Sequence, residues 1–248
     1  MATKLYLPSD NIAPAFEPAA IGGWEDTSLI NYTTMPTIKR SSAMTTASFA
    51  DASAANRDIL FKIFVSAELT AGQTVTGSQA IKLQARCSQV AATNNMLLTV
   101  VLAIWNSSNP AAAAKAMVGT VRDNVEAATS LTNRQHTTTS AAGNYTTVAG
   151  DYVVLQLGMG GDPDVGSDHD SSLRFGDAAA SDLPEDDTDT TDLNPWVQLT
   201  DTLTFIIPGV RQIIASQGSA RNRGGIGIRQ MRRRDSGLYV PAYLEMAA

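Results

Sequence analysis

The sequence predicts an all-β protein, an antiparallel β-sandwich of jelly-roll type. Short segments rich in β-branched and aromatic residues recur between turn-forming residues, which is typical of strands. No long helical period occurs before residue 208, and no helices separate the segments, so a parallel α/β sheet is disfavoured. The cleanest segment, residues 81–87, alternates apolar and polar side chains, and this pattern predicts a half-buried antiparallel strand.

The other strands follow from hydrophobic runs bounded by turns. Residues 96–105 are almost continuously apolar, as in a strand covered on both faces. We expect this run to form a hairpin with residues 81–87, and a second hairpin to join 145–148 to 152–157. A turn of helix is expected at 111–116. Further strands are predicted at residues 4–7, 59–65, 117–121, 173–175, 196–199 and 203–207.

The length of 248 residues suits one large domain with extensions. Residues 1–57 are predicted to form an N-terminal strand and an irregular arm, because residues 10–24 contain Pro14, Pro18 and a glycine pair. Residues 58–207 are predicted to form the sandwich core. Residues 208–248 are predicted to form a basic C-terminal docking arm, with a possible helix at 210–217, an Arg/Gly-rich stretch and an aromatic tip at 238–244.

The charge distribution is strongly asymmetric. The net charge is −6, yet twelve of the 24 acidic residues lie within 162–201, and seven of the 18 basic residues lie within 211–234. Such segregation indicates an interface or a tail. The single cysteine, Cys87, excludes an intrachain disulfide, and no signal-peptide or membrane-spanning apolar segment is evident, so we expect folding in the cytosol and no membrane contact.

The basic arm carries the predicted interface. Arginine can also pair with phosphate, but the stretch lacks interleaved aromatic residues, so nucleic acid is the less favoured partner and a disordered tail is a further alternative. Docking onto another protein subunit is preferred. The residues expected at that interface are Arg221, Arg223, Arg229, Arg232, Arg233, Arg234, Tyr239 and Tyr243.

Two acidic runs raise the question of metal binding. The first run has carboxylates at alternating positions, which hard cations such as calcium require. Its spacing fails the EF-hand pattern, so no metal is predicted, and a solvated loop is preferred over the weak candidates Asp162, Asp164, Asp168 and Asp170. The second run, residues 182–192, could complete such a site. We instead expect it to face the basic arm of a neighbouring subunit.

No catalytic or cofactor site is predicted. Residues 158–161 are glycine-rich, but Asp162 and Pro163 follow where a dinucleotide-binding helix should begin. The two histidines, His136 and His169, lie in predicted loops, and no nucleophile elbow is present. Cys87 falls on the apolar face of its strand and is expected to be an inert core residue.

Four short phrases carry a family resemblance. They are MATKLYL at residues 1–7, WEDTS at 24–28, LRFGD at 173–177 and DLNPWV at 192–197. In these phrases, and in composition up to about residue 205, the chain resembles structural proteins of tailed bacteriophages. The resemblance implies a β-sandwich subunit used in many copies, as a capsid decoration or cement protein or in the neck, tail or fibre.

The resemblance also implies partners and a location. We expect a homo-oligomer, for which a trimer would suit three-fold sites, that contacts the major capsid protein or other virion proteins and is assembled in the host cytoplasm. A different class of function is a calcium-dependent carbohydrate-binding or adhesion module, in which aromatic side chains stack on sugar rings. The aromatics to consider are Trp24, Trp105 and Trp196, of which Trp105 is expected in the core and Trp196 at a loop edge.

Overall fold

The computed structural model describes residues 2–21, 23–40, 45–49, 58–109, 115–161, 170–176 and 181–206. These residues form antiparallel sheets packed against one another, which confirms the all-β sandwich, while the jelly-roll connectivity remains a prediction. The strands are β1 (Thr3–Tyr6), β2 (Tyr32–Met35), β3 (Thr45–Phe49), β4 (Asp58–Glu68), β5 (Thr74–Val75), β6 (Ala80–Gln89), β7 (Met96–Asn106), β8 (Lys115–Glu126), β9 (Thr132–Thr139), β10 (Tyr145–Thr146), β11 (Asp151–Gly161), β12 (Ser171–Phe175) and β13 (Trp196–Leu199).

Sheet A is organised around β6. The first half of β6 pairs with β13 and the second half with β12, while β9 pairs along the opposite edge. Strand β1 adds beyond β13, and β3 adds beyond β12. The first and last strands of the described chain therefore lie side by side in one sheet.

Sheet B has the order β2, β4, β11, β7, β8. All its pairings are antiparallel except that of β2 with β4, which is parallel. Strand β8 lies at one edge, and its pairing with β7 is interrupted by three register shifts. Bulges of this kind are one way in which natural proteins make an edge strand a poor template for further pairing. A separate two-stranded sheet joins β5 to β10.

The main core lies between the two sheets. Sheet A contributes the apolar face of β6, including Leu83, Ala85 and Cys87, and sheet B contributes Phe64 and Leu155. The rings of Phe64 and Phe175 meet edge to face with centroids 5.4 Å apart, so the two sheets contact each other directly. The prediction of Cys87 as a core residue agrees with this placement, since its side chain is buried.

A second apolar cluster lies on the outer face of sheet B. Ile63, Val65 and Trp105 on this face are covered by residues 16–32, which include Phe16 and Trp24. This N-terminal cover explains why β4, β7 and β11 are buried on both faces, as the continuous apolar run at 96–105 predicted.

Gly158 and Gly160 belong to β11 and permit this close packing. A Cβ on Gly158 would lie 2.6 Å from Cζ3 of Trp24 and closer still to the carbonyl of Ile59. A Cβ on Gly160 would lie 2.7 Å from Oγ1 of Thr99. The glycine-rich stretch is thus explained by close approach to the strand.

Three sequence predictions differ from the structure. Residues 81–87 and 96–105 do not form a hairpin, because β6 belongs to sheet A and β7 to sheet B. Strands β10 and β11 likewise pair with different partners. Of the strand predicted at 203–207, the described part makes a single bridge between Leu69 and Phe205.

The N-terminal region is part of the sandwich. The sequence predicts a strand and an irregular arm for residues 1–57; in the structure β1 and β3 lie in sheet A and β2 lies in sheet B. Leu5 and Leu7 are buried in the main core. The helical turn predicted at 111–116 lies mostly outside the described residues, and residues 115 and 116 belong to β8. The possible helix at 210–217 also lies outside them.

Candidate functional site

The second acidic run forms part of a segment that we call the acidic strap, residues 181–195, which joins β12 to β13. The strap lies over the outer face of sheet A, the face of β6 that carries Lys82, Gln84 and Arg86. Its apolar anchor is Leu183, which is 2% exposed and whose carbonyl accepts a hydrogen bond of 2.8 Å from Nε1 of Trp196. The strap is therefore held by apolar as well as polar contacts.

Ion pairs tie the strap to the strands beneath it. At one end Asp182 accepts from Lys4 at 3.0 Å and from Lys39 at 2.9 Å. At the other end Asp192 pairs with both Arg86 and Arg174. Between them lie the pairs Lys82–Glu185 and Arg134–Asp187. Each of these four carboxylates thus has a basic partner within the chain, and the expectation that the run also faces the basic arm of a neighbour stays a prediction.

The strap also contacts the free edge of β9. The backbone N–H of Asn133 donates to the carbonyl of Asp189 at 2.7 Å, and that of Gln135 donates to Oδ1 of Asp187 at 2.7 Å. The side chain of Asn133 donates to the carbonyls of Pro184 and Asp186. Because these contacts satisfy edge N–H groups, the strap reduces the capacity of β9 to pair with another strand.

The strap changes the environment of β6. The alternating pattern of residues 81–87 predicted a half-buried strand, but Gln84 is 0% exposed and Arg86 is 5% exposed. The prediction of a solvent-exposed face was wrong for Gln84 and Arg86, because the strap covers both side chains. Trp196 lies at the edge of the strap, as the first residue of β13, and is 1% exposed because the strap covers it.

The carboxyl pKa values of the strap reflect these contacts. Burial alone would raise the pKa of Asp182, but hydrogen bonds from Lys39 and Lys4 outweigh it and lower the pKa below the usual value. The pKa of Asp186 is also lowered, since the backbone N–H groups of Asp189 and Thr188 donate to its carboxylate and outweigh burial. The folded state thus favours the ionised form of both groups.

A second polar cluster bridges the two sheets where β8 faces β9. Asp123 of sheet B accepts from Nε of Arg134 of sheet A at 2.5 Å, and Nδ1 of His136 lies 3.8 Å from the Asp123 carboxylate. These residues and Asp187 line a groove of about 440 Å³. Burial raises the pKa of Asp123, but the nearby imidazole of His136 and the hydrogen-bonded guanidinium of Arg134 lower it overall. His136 was expected in a loop; it is instead a buried residue of β9.

Lys62 of β4 is a buried lysine that lies beside the segment following β1. Lys62 is 5% exposed, and its ammonium donates to the carbonyl of Ser9 at 3.4 Å. The ammonium also lies 5.5 Å from the ring centroids of Phe64 and Phe175. Burial lowers the pKa of Lys62 to about 8, while Asp10 acts in the opposite direction.

The predicted site residues are only partly within the described chain. Asp170 is described, and its carbonyl accepts from the backbone of Val90 and from the side chain of Asn94. Among the described residues no group of three or more His, Cys, Asp or Glu side chains is placed to hold a metal ion. The following lie outside the described residues: His169, the weak metal candidates Asp162, Asp164 and Asp168, and the interface residues Arg221, Arg223, Arg229, Arg232, Arg233, Arg234, Tyr239 and Tyr243.

The aromatic residues considered for sugar stacking are largely covered. Trp105 is 4% exposed, as expected for a core residue, and Trp196 lies beneath the strap. Trp24 is half-buried, and its Nε1 donates to Oε1 of Gln156 at 2.8 Å.

The strap and the inter-sheet cluster were missed by the sequence reasoning. Their only sequence signal was the abundance of polar side chains in β9 and in residues 182–192.

Comparison with known proteins adds no family assignment: no family model matches the chain, and no curated protein matches its sequence. Within the part of the chain that the structure describes, no helix is long and apolar enough to cross a membrane. The class that can be stated is therefore the fold, an all-β protein built from packed antiparallel sheets.

Proposed function

We propose that this chain is a non-enzymatic virion structural protein, a capsid decoration or cement subunit that stabilises a shell through contacts between subunits. The resemblance of four short sequence phrases to tailed-phage structural proteins suggests the class. The observation in the structure that supports it best is the use of charge: ion pairs fasten the acidic strap to sheet A through Asp182, Glu185, Asp187 and Asp192. These charged side chains hold the strap on sheet A.

The partial covering of both outer faces is consistent with a building block. Among the described residues, 16–32 pack on part of sheet B and the acidic strap packs on part of sheet A, while Thr46 and Ser48 of β3 stay exposed. Contacts with other subunits would then fall to loops, strand edges and the C-terminal arm. The same features suit a neck, tail or fibre subunit, which is the alternative placement. We expect a homo-oligomer, with the virion as its location.

The carbohydrate-binding alternative has less support. Stacking on a sugar ring needs an accessible aromatic face, and both Trp105 and Trp196 are buried. A thermal-shift titration with calcium and then a chelator tests the calcium-dependent version. An unchanged Tm in both titrations would contradict it.

Co-sedimentation with purified capsids and purified tails tests the proposed function. The intact chain is compared with a variant in which six arginines are replaced by glutamine, with a variant that replaces them by lysine, and with a deletion of residues 219–248. The six positions are Arg221, Arg223, Arg229, Arg232, Arg233 and Arg234. We expect the intact chain to sediment with capsids, the glutamine variant and the deletion to lose binding, and the lysine variant to retain part of it.

The outcomes separate two questions. If the intact chain sediments with neither capsids nor tails, the proposed function is wrong. If it binds and the glutamine variant binds equally well, the virion role stands and the docking arm is wrong. Binding to tails in place of capsids would favour the alternative placement.

A further inference from the structure

Beneath the acidic strap lie four buried polar atoms that lack a hydrogen-bond partner among the described residues. Gln84 is 0% exposed, and neither Nε2 nor Oε1 of its amide is paired. Nε of Arg86 and Oδ1 of Asn133 are also buried and unpaired. Buried polar atoms in native proteins nearly always have a protein or water partner, so a group of four needs an explanation.

The four atoms belong to neighbouring side chains on one face of sheet A. Gln84 and Arg86 are two residues apart on β6 and therefore point to the same side. Asn133 of β9 lies directly opposite Arg86 in the register of the two strands. Side chains opposite each other in an antiparallel pair are about 5 Å apart at Cβ, and diagonal neighbours about 7–8 Å. One small bound molecule can therefore bridge them.

The chemistry of the four atoms selects the occupant. Nε2 of Gln84 and Nε of Arg86 are donors, whereas Oε1 of Gln84 and Oδ1 of Asn133 are acceptors. A cation would be repelled by the guanidinium of Arg86, and an anion would meet the two carbonyl oxygens. Water both donates and accepts, and a buried water typically makes about three hydrogen bonds.

We propose that ordered water molecules are bound beneath the acidic strap by Gln84, Arg86 and Asn133. This site also connects to the strap, because Nδ2 of Asn133 donates to the carbonyls of Pro184 and Asp186 at 2.7 and 2.8 Å. Water on Oδ1 of Asn133 fixes the orientation in which Nδ2 faces the strap. Hydration therefore contributes to holding the strap in its register on sheet A.

The direction in which Gln84→Met shifts Tm tests the proposed water site. Gln84→Met keeps the side-chain volume and removes the amide. If water pairs the amide, this change removes the hydrogen bonds between the water and Gln84 and lowers Tm. If the site is dry, the change removes two unpaired polar atoms from the interior, and Tm stays the same or rises. Gln198→Met, at a partly exposed position of β13, is the matched control and should leave Tm nearly unchanged.

A high-resolution crystal structure of the intact protein provides the second measurement. The proposal requires density for water within hydrogen-bonding distance of Gln84 and of Arg86 or Asn133. Direct side-chain hydrogen bonds among these three residues, or an empty site, would overturn it. So would a Gln84→Met variant at least as stable as the wild type. If that variant does not fold, the crystal structure alone decides.

Discussion

Replacing Gln156 with methionine should release the N-terminal cover from sheet B. Gln156 is 0% exposed on β11, and its Oε1 accepts from the backbone N–H of Ile21 at 2.9 Å and from Nε1 of Trp24 at 2.8 Å. Its Nε2 donates to the carbonyl of Ala19 at 2.9 Å. At about 1 kcal/mol for each hydrogen bond, the substitution should lower the free energy of unfolding by about 3 kcal/mol.

Urea unfolding and hydrogen exchange measure this effect. For a chain of this size, the loss corresponds to a decrease in Tm of roughly 6–12 °C. The amide of Ile21 loses its acceptor, so exchange should accelerate at residues 19–24 and remain unchanged in β6. Gln198→Met is the control, with an expected change within about 0.5 kcal/mol. A loss below about 1 kcal/mol for Gln156→Met, or unaltered exchange at residues 19–24, would refute the role assigned to Gln156.

The remaining predictions concern packing, pH and reactivity. Gly158→Ala should be among the most destabilising single changes, because the new Cβ would collide with the Ile59 carbonyl and with Trp24. Urea unfolding measures the loss of stability, and a near-neutral effect would contradict the packing described. Asp182 has a lowered folded pKa, so its contribution to stability is present above the unfolded pKa and is lost as pH falls through the folded value; Asp182→Asn should flatten the acid limb of a stability–pH curve. Lys62 binds protons more weakly when folded, so stability should rise from about pH 8 toward 10, and Lys62→Met should remove this rise. Burial raises the pKa of the Cys87 thiol to about 12, so thiol reagents should modify it only after unfolding, and rapid labelling of the native protein would contradict this.

Hydrophobic pattern was sufficient to locate most long strands. The apolar runs at residues 59–65, 96–105 and 152–157 became β4, β7 and β11, because a strand covered on both faces needs apolar side chains at successive positions. Strand β9 was missed, since its residues are mostly Thr, Asn, Gln and His. Its buried positions are filled by polar side chains such as Asn133 and His136, whose partners lie in other segments, Pro184 of the strap for Asn133 and Asp123 of β8 for His136.

Pairing partners and covering segments could not be read from local sequence. The alternation of residues 81–87 gives the two faces of β6 but not what lies on each face. Asp192, more than a hundred positions away, supplies the carboxylate for Arg86. The acidic run therefore resembled a solvated or intersubunit loop in sequence, although in the fold it pairs with basic residues of the same chain. The wrong hairpin predictions have the same origin, because adjacency in sequence did not determine which sheet each strand joined.

The pairing of β1 with β13 affects how the chain can fold during synthesis. Thr3 pairs with Leu199, and the backbone N–H of Thr3 donates to Asp201. Strand β1 can therefore pair with β13 only after almost two hundred further residues have been translated. Because such distant pairing slows folding and leaves apolar strands exposed meanwhile, completion of sheet A should be a late event in folding. A pulse-chase measurement of protease resistance would detect that delay.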